Sequence, residues 1–319
     1  MLRSLLIYLS KAAWARRIVT GWGVARAVAL RFVAGETPDD AIRAVEELNA
    51  AGIFATLDHL GEHTTSPAEA AHSTADVLHM LDLIQSTGVQ SNVSVKLTQL
   101  GLNLDTDLCR NNMAAILDRA AQNDVMVRID MEDTPFTDRT LQIYYELRAG
   151  GFANVGIVIQ SYLYRSEADV AALMAKGARV RMVKGAYLEP ENLAWPQKRD
   201  VDANFDKLTA MLIDAALAAG SPPSTPDGKS PAIPAIASQD EARITLACDY
   251  AQKVGLPKSA LEFQMLYGIR RDLQERLVRE GYPVRVYVPY GSEWYPYFMR
   301  RLAERPANIW FFVSNFFKK

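Results

Sequence analysis

Eight short runs of strand-forming residues recur along the 319-residue chain, and nothing else in it restricts the fold as tightly. They are "GIFATLD" (52–58), "NVSVKLT" (92–98), "VMVRIDME" (125–132), "NVGIVIQ" (154–160), "RVRMVKGAY" (179–187), "AIPAIAS" (232–238), "LEFQMLY" (261–267) and "VRVYVPY" (284–290). Amphipathic stretches such as "DLCRNNMAAILDRAAQ" and "ANFDKLTAMLIDAALAAG" lie between them. Alternating strands and helices bury a parallel sheet under a helical layer. Eight such units close the sheet on itself, so the expected fold is α/β, a (β/α)8 TIM-type barrel. The widest gap holds "SPPSTPDGKSP" (221–231), whose proline and glycine content reads as a loop between the fifth helix and the sixth strand.

Within each run, alternation sorts side chains onto two faces. Thr56 and Asp58 share one side, as do Ser94, Lys96 and Thr98, then Arg128, Asp130 and Glu132; Gln160, Arg181, Glu262 and Gln264 continue the set. The opposite side is Val, Ile, Leu and Met. Helices cover the outside of a barrel, so the apolar set faces outward and the polar set points inward and toward the C-terminal mouth. Charges inside cost several kcal/mol apiece unless they are paired or matched by a ligand. An internal ion-pair network without a ligand is one reading. A large, polar, charged ligand at the mouth is the favoured one, because the donors converge where barrels carry their sites.

Two regions are expected: an N-terminal helical segment over residues 1–45 and a catalytic barrel over 46–319. The first 35 residues contain no Asp or Glu but carry Arg3, Lys11, Arg16, Arg17, Arg26 and Arg31. They read as helices packed on the body; a transit peptide or a membrane-surface helix shares this composition. A formal net charge of -2 gives no general pull toward nucleic acid. Cys109 and Cys248 have no metal-ligand spacing and suit a reducing compartment. No apolar run is long enough to span a bilayer. The expected location is therefore cytoplasmic, with peripheral attachment to the inner face of the cell membrane as the alternative.

Several motifs fail on context. His59-Leu60-Gly61-Glu62-His63 matches H-x-x-E-H, but it follows a strand directly and has a glycine where a helix is needed, so it reads as the start of a βα loop. "GWGVAR" (21–26) lacks the preceding strand and third glycine of a dinucleotide fingerprint. The four histidines all fall between 59 and 79, which gives a Ser-His-Asp triad little support. Lys96 and Lys184 are strand lysines of the kind that form Schiff bases in aldolases, a rival reading opposed by the arginines and carboxylates around them.

Three stretches are more specific: "VRMVKGAY", "EFQMLYGI" and "YVPYGSEWYPYFMRRLAE". With "LDHLGE", "SVKLTQLG", "IDMED" and "VIQSYL" in the same order, the chain resembles proline dehydrogenase, a flavin-dependent barrel that oxidises proline, over roughly residues 46–306. The compact "YGSEWYPY" form resembles the single-function bacterial type. The resemblance implies a last helix near the barrel mouth. It also implies a substrate side lined by Lys96, Asp130, Ala186, Tyr187, Leu266, Tyr287, Tyr297, Arg300 and Arg301, with Glu304 pairing with the arginine face. On the cofactor side it implies Asp130, Gln160, Arg181, Val183, Lys184, Gly185, Ser238 and Gln239. One departure stands out: Ala237-Ser238-Gln239-Asp240 has a glutamine where the family carries a histidine, and glutamine still donates a hydrogen bond.

The chemistry implied by the resemblance suits these residue types. Positions 297, 300, 301 and 304 share one helix face, so two guanidinium forks can meet one small carboxylate. The tyrosines and Leu266 suit an aliphatic ring. The implied reaction is oxidation of L-proline to 1-pyrroline-5-carboxylate by hydride transfer from C5 to flavin N5, the first step of proline breakdown to glutamate. FAD is the implied flavin, with FMN as the alternative. Quinone is the implied electron acceptor, and 1-pyrroline-5-carboxylate dehydrogenase an implied partner. A flavin- or amino-acid-binding protein on the same fold is the non-enzymatic alternative.

Overall fold

The computed structural model describes residues 29–61 and 63–304, together with Leu9, Ala12, Trp14 and Ala15. Most of the basic N-terminus, Glu62, the side chain of Glu304 and the aromatic tail from 305 onward lie outside the described residues. Eight parallel strands close in sequence order: β1 (Phe54–His59), β2 (Ser91–Val95), β3 (Val127–Ile129), β4 (Val155–Gln160), β5 (Val180–Val183), β6 (Pro234–Ala237), β7 (Glu262–Leu266) and β8 (Val284–Tyr290). Six fall inside the runs expected to be strand, and β1 and β2 extend one residue past theirs, to His59 and from Ser91. The helices are α1 (Pro38–Ala50), α2 (Pro67–Thr87), α3 (Thr106–Ala121), α4 (Thr134–Ala149), α5 (Ser166–Met174), α6 (Lys198–Ala218), α7 (Glu241–Val254), α8 (Arg271–Arg279) and α9 (Trp294–Glu304).

Local chemistry sets the helix ends. Thr37 and Asp40 form a reciprocal capping box with Pro38 at the first turn of α1. Ser66 caps α2, which stops at Gly88 in the left-handed region. Leu57, Val93, Ile129, Ile157, Met182, Phe263 and Val286 face outward into the apolar core under these helices. Helix α1 packs on both β1 and β8 and so completes the outer ring. It runs through residue 45, the boundary expected from sequence, as one uninterrupted element.

Helix α9 belongs to a second apolar cluster. Trp294, Tyr295, Tyr297, Phe298 and Met299 pack with Ala15, Ala29, Phe32 and Val33, and Leu266 and Tyr287 from the strand ends touch this cluster. The last helix therefore sits over the C-terminal mouth. At the opposite end, the 221–231 segment closes the floor. The Gly228 carbonyl accepts from Arg285 Nη1 at 2.7 Å, Ser224 Oγ donates to Glu262 at 2.7 Å, and Lys229 O accepts from the Met126 amide. A Cβ at Gly228 would lie 2.6 Å from the Phe54 ring, so only glycine fits there.

Candidate active site

Register brings the inward residues together in tiers. Asp58 pairs with Ser94, Ser94 with Arg128, Arg181 with Ala235, and Gln264 with Arg285. In the lowest tier, Arg285 and Glu262 form a fully buried ion pair at 2.7 Å. Burial alone would raise the Glu262 carboxyl, but the Arg285 guanidinium, Ser224 and Gln264 outweigh it and hold it below its ordinary value. Alternation marks Arg285 as inward through its spacing from Tyr287, yet it was not among the polar residues expected inside.

Arg181 forms the middle tier. Its Nε donates to Gln264 Oε1 (2.6 Å), Nη1 to Asp130 Oδ1 (2.8 Å) and Nη2 to Ser94 Oγ (3.1 Å), which fixes the plane of the guanidinium. It also lies 5.4 Å from the centre of the Tyr287 ring.

At the mouth, Lys96 Nζ is held by both oxygens of Asp58, at 2.7 and 2.8 Å, and approaches Tyr287 Oη at 3.4 Å. Tyr287 in turn donates to Asp130 Oδ2 at 2.8 Å. Asp58, Lys96, Tyr287, Asp130 and Arg181 thus form one continuous chain across the barrel. Burial pushes the Tyr287 hydroxyl well above its ordinary range, and the Asp130 and Asp58 carboxylates add to the effect. Burial also raises Asp58, against the opposing pull of Lys96. Lys96, implied on the substrate side, has its charge engaged by Asp58. Asp58 is the partner the expected site residues lacked; its signal was its inward phase in "LDHLGE".

On α9, Arg301 is only 7% exposed and its guanidinium lies 5.0 Å from the Tyr297 ring centre, while Arg300 is half-buried. The pair therefore does not splay into solvent. Leu266 and Tyr287 meet the cluster that contains Tyr297. Ala186 and Tyr187 follow in the loop after β5, both half-buried.

The residues assigned to a cofactor cluster at the ends of β4, β5 and β6. Gln160 pairs with Val183 in the ladder, and its Nε2 donates to Glu132 O at 2.9 Å. Lys184 is clamped by Asp202 (2.5 Å) and Asp240 (2.8 Å), and the Asp240 amide donates to Ser238 Oγ at 3.1 Å, which ties Lys184 to the Ser238-Gln239 turn. Gly185 has φ +120°, and a Cβ there would lie 2.4 Å from the Tyr162 ring. A flavin presents ring carbonyls, ring nitrogens and phosphate oxygens, and amide, guanidinium, ammonium and hydroxyl donors on neighbouring strand ends fit such a group. His59 ends β1 and stacks on Tyr290, whereas His63 lies in the following loop beside Phe136. The H-x-x-E-H stretch therefore opens a βα loop, with its two rings against different neighbours.

The sequence profile of the proline dehydrogenase family matches residues 41–313. The chain belongs to the proline dehydrogenase family. Proline dehydrogenase 2 of Bacillus subtilis strain 168 is 39% identical over 317 residues, 99% of each chain. Proline dehydrogenase of Deinococcus radiodurans is 42% identical over 295 residues, 91% of this chain and 90% of that one. Among solved structures, proline utilization A from Bdellovibrio bacteriovorus, inactivated by N-propargylglycine, superposes with a TM-score of 0.77 at 27% identity. That likeness covers 88% of this chain but 33% of that longer one. The enzyme class is accordingly proline dehydrogenase, a flavoprotein oxidoreductase of proline catabolism on a TIM-type barrel.

Proposed function

We propose that the protein oxidises L-proline to 1-pyrroline-5-carboxylate as the first step of proline breakdown toward glutamate, and passes the electrons to quinone. The observation that carries this reading is the ionic chain from Asp58 to Arg181, lying between the arginine helix and the strand ends rich in donors. Bound flavin supplies the acceptor that no side chain offers, N5 for the hydride of proline C5.

The chain's own residues do the remaining work. Arg300 and Arg301 grip the carboxylate through forked N–H donors. Tyr297, Leu266 and Tyr287 press on the aliphatic ring and keep water away. Lys96 and Asp58 hold Tyr287, and Tyr287 and Arg181 hold Asp130, so the pocket walls are rigid before substrate arrives. Surrounding cations favour the neutral amine, the form from which hydride departs. Gln160, Arg181, Val183, Lys184, Gly185, Ser238 and Gln239 hold the flavin. FAD is the proposed form and FMN the alternative, told apart by the mass of the cofactor released on denaturation.

Among the described residues no helix is long and apolar enough to cross a membrane. The protein works in the cytoplasm or at the inner membrane face, and its product is of the kind a 1-pyrroline-5-carboxylate dehydrogenase consumes. The test is the visible spectrum of the purified protein. A yellow protein bleached by proline fits the proposal, whereas a colourless one, or one that proline leaves unbleached, overturns it. Arg301→Met should raise KM for proline at least tenfold, since a charge-assisted hydrogen bond is worth about 1.5–3 kcal/mol, and should leave flavin bound. An unchanged KM removes Arg301 from the substrate side.

A further inference from the structure

Below the mouth, the barrel interior holds a surplus of hydrogen-bond donors. Arg128 on β3 is completely buried. Its Nη1 donates to the carbonyls of Ile157, at 3.2 Å, and Arg179, in space left by the missing side chain of Gly156. Its Nε and Nη2 are buried without a protein acceptor. Asn92 on β2 is in the same condition. Its Oδ1 accepts from Thr56 and Arg285, while its Nδ2 has no acceptor. Ser94 lies directly beside Arg128 in the ladder, and Asn92 is the next inward residue below Ser94, about 7 Å along the strand.

The charges give the same result. Lys96 is matched by Asp58, Arg181 by Asp130 and Arg285 by Glu262. No carboxylate among the described residues forms an ion pair with Arg128. Glu132 is four residues further up the chain, about 13 Å in extended backbone, and is bound to Thr98. A guanidinium stays protonated inside proteins, so Arg128 brings into the interior a positive charge that no ion pair among the described residues engages. Burial, then the neighbouring Arg181, pushes Arg128 well below its ordinary value, against an upward pull from Glu262.

Acceptors decide what kind of ligand fits. A water that accepts from Arg128 needs acceptors for its own hydrogens. Glu262 already takes bonds from Arg285, Gln264 and Ser224, and Gln264 Oε1 takes Arg181. An anion only accepts. We propose that the barrel interior binds a monovalent anion of chloride size, held by Arg128 Nε and Nη2 and by Asn92 Nδ2. The ion supplies the acceptor that Arg128 Nε and Nη2 lack among the described residues and is shut in from below by the 221–231 segment. It takes no part in the chemistry at the mouth.

The test starts with holoenzyme dialysed into gluconate, with chloride added back at constant ionic strength. Above its Kd, each tenfold rise in chloride should raise Tm by about 2 °C. Crystals grown in bromide should show an anomalous peak within hydrogen-bonding reach of Arg128 Nε. Asn92→Asp builds the missing acceptor into the chain; its Tm in gluconate should approach that of the chloride-saturated parent, with the chloride response gone. Arg128→Met should lose the response as well, and if it fails to fold, Asn92→Asp alone decides. A flat Tm is resolved by the bromide map, where a peak at Arg128 supports a site already filled and no peak overturns the proposal. Water refined at that position, or an undiminished chloride response in Asn92→Asp, also overturns it.

Discussion

Replacing Asp58 by Asn tests the ionic chain at its buried end. The Lys96 and Asp58 side chains are 7% and 1% exposed, and both carboxylate oxygens contact Nζ. Removing one partner of such a pair costs about 3–5 kcal/mol, because the other charge stays in the interior. Asparagine keeps one acceptor oxygen, so the loss should be about 3 kcal/mol, or about 4–5 °C in Tm for a chain of this size. Lys96→Met should also destabilise, but with a different pH dependence. It strands Asp58, whose carboxyl burial already raises and which loses the lowering influence of Lys96. A carboxyl with a higher pKa folded than unfolded makes the folded state bind the extra proton. Its contribution is complete below the ordinary Asp value of 3.8 and is lost as pH rises through the folded value. The Lys96→Met deficit should therefore shrink from about pH 8 to about pH 5, while the Asp58→Asn deficit does not. The double variant removes both charges and should recover most of the stability, giving a coupling of about 2 kcal/mol or more. Thermal unfolding of all four proteins at both pH values is the assay. An Asp58→Asn Tm within about 1 °C of the parent, or additive single effects, would refute the reasoning.

Two further outcomes follow from the same contacts. Gly268 has φ +72°, and a Cβ there would lie 1.6 Å from Arg31 O, so Gly268→Ala should cost at least about 2 kcal/mol and expose residues 29–33 to protease; parental stability and protease resistance would contradict that contact. Glu262 holds its charge to lower pH folded than unfolded, so its contribution is complete above the ordinary Glu value of 4.5 and declines as pH falls through the lowered folded value. Glu262→Gln should therefore flatten the acid limb of stability measured by denaturant titration, and an unaltered limb would count against it.

The barrel was legible in the sequence because a two-residue period written eight times has few other solutions. The same period gave the inward phase of Asp130, Gln160, Arg181 and Gln264. Pairings were harder to read. Asp58 and Lys96 are 38 residues apart, and their meeting depends on the β1–β2 register, which a strand pattern alone leaves free. Arg285 repeats the inward phase of Tyr287, yet its partner Glu262 lies on another strand. The 221–231 segment carried the composition of a loop, but its role as the barrel floor arises only when the sheet closes. The capping of the mouth by α9 was expected from the family resemblance, since no local pattern distinguishes a helix over the mouth from one in the outer ring.

Because one end of the barrel is stoppered by the segment around Gly228, the shaft is a cul-de-sac. For the proposed reaction, imino acid and oxidised product would use the open mouth beneath the arginine helix, and so would take turns there.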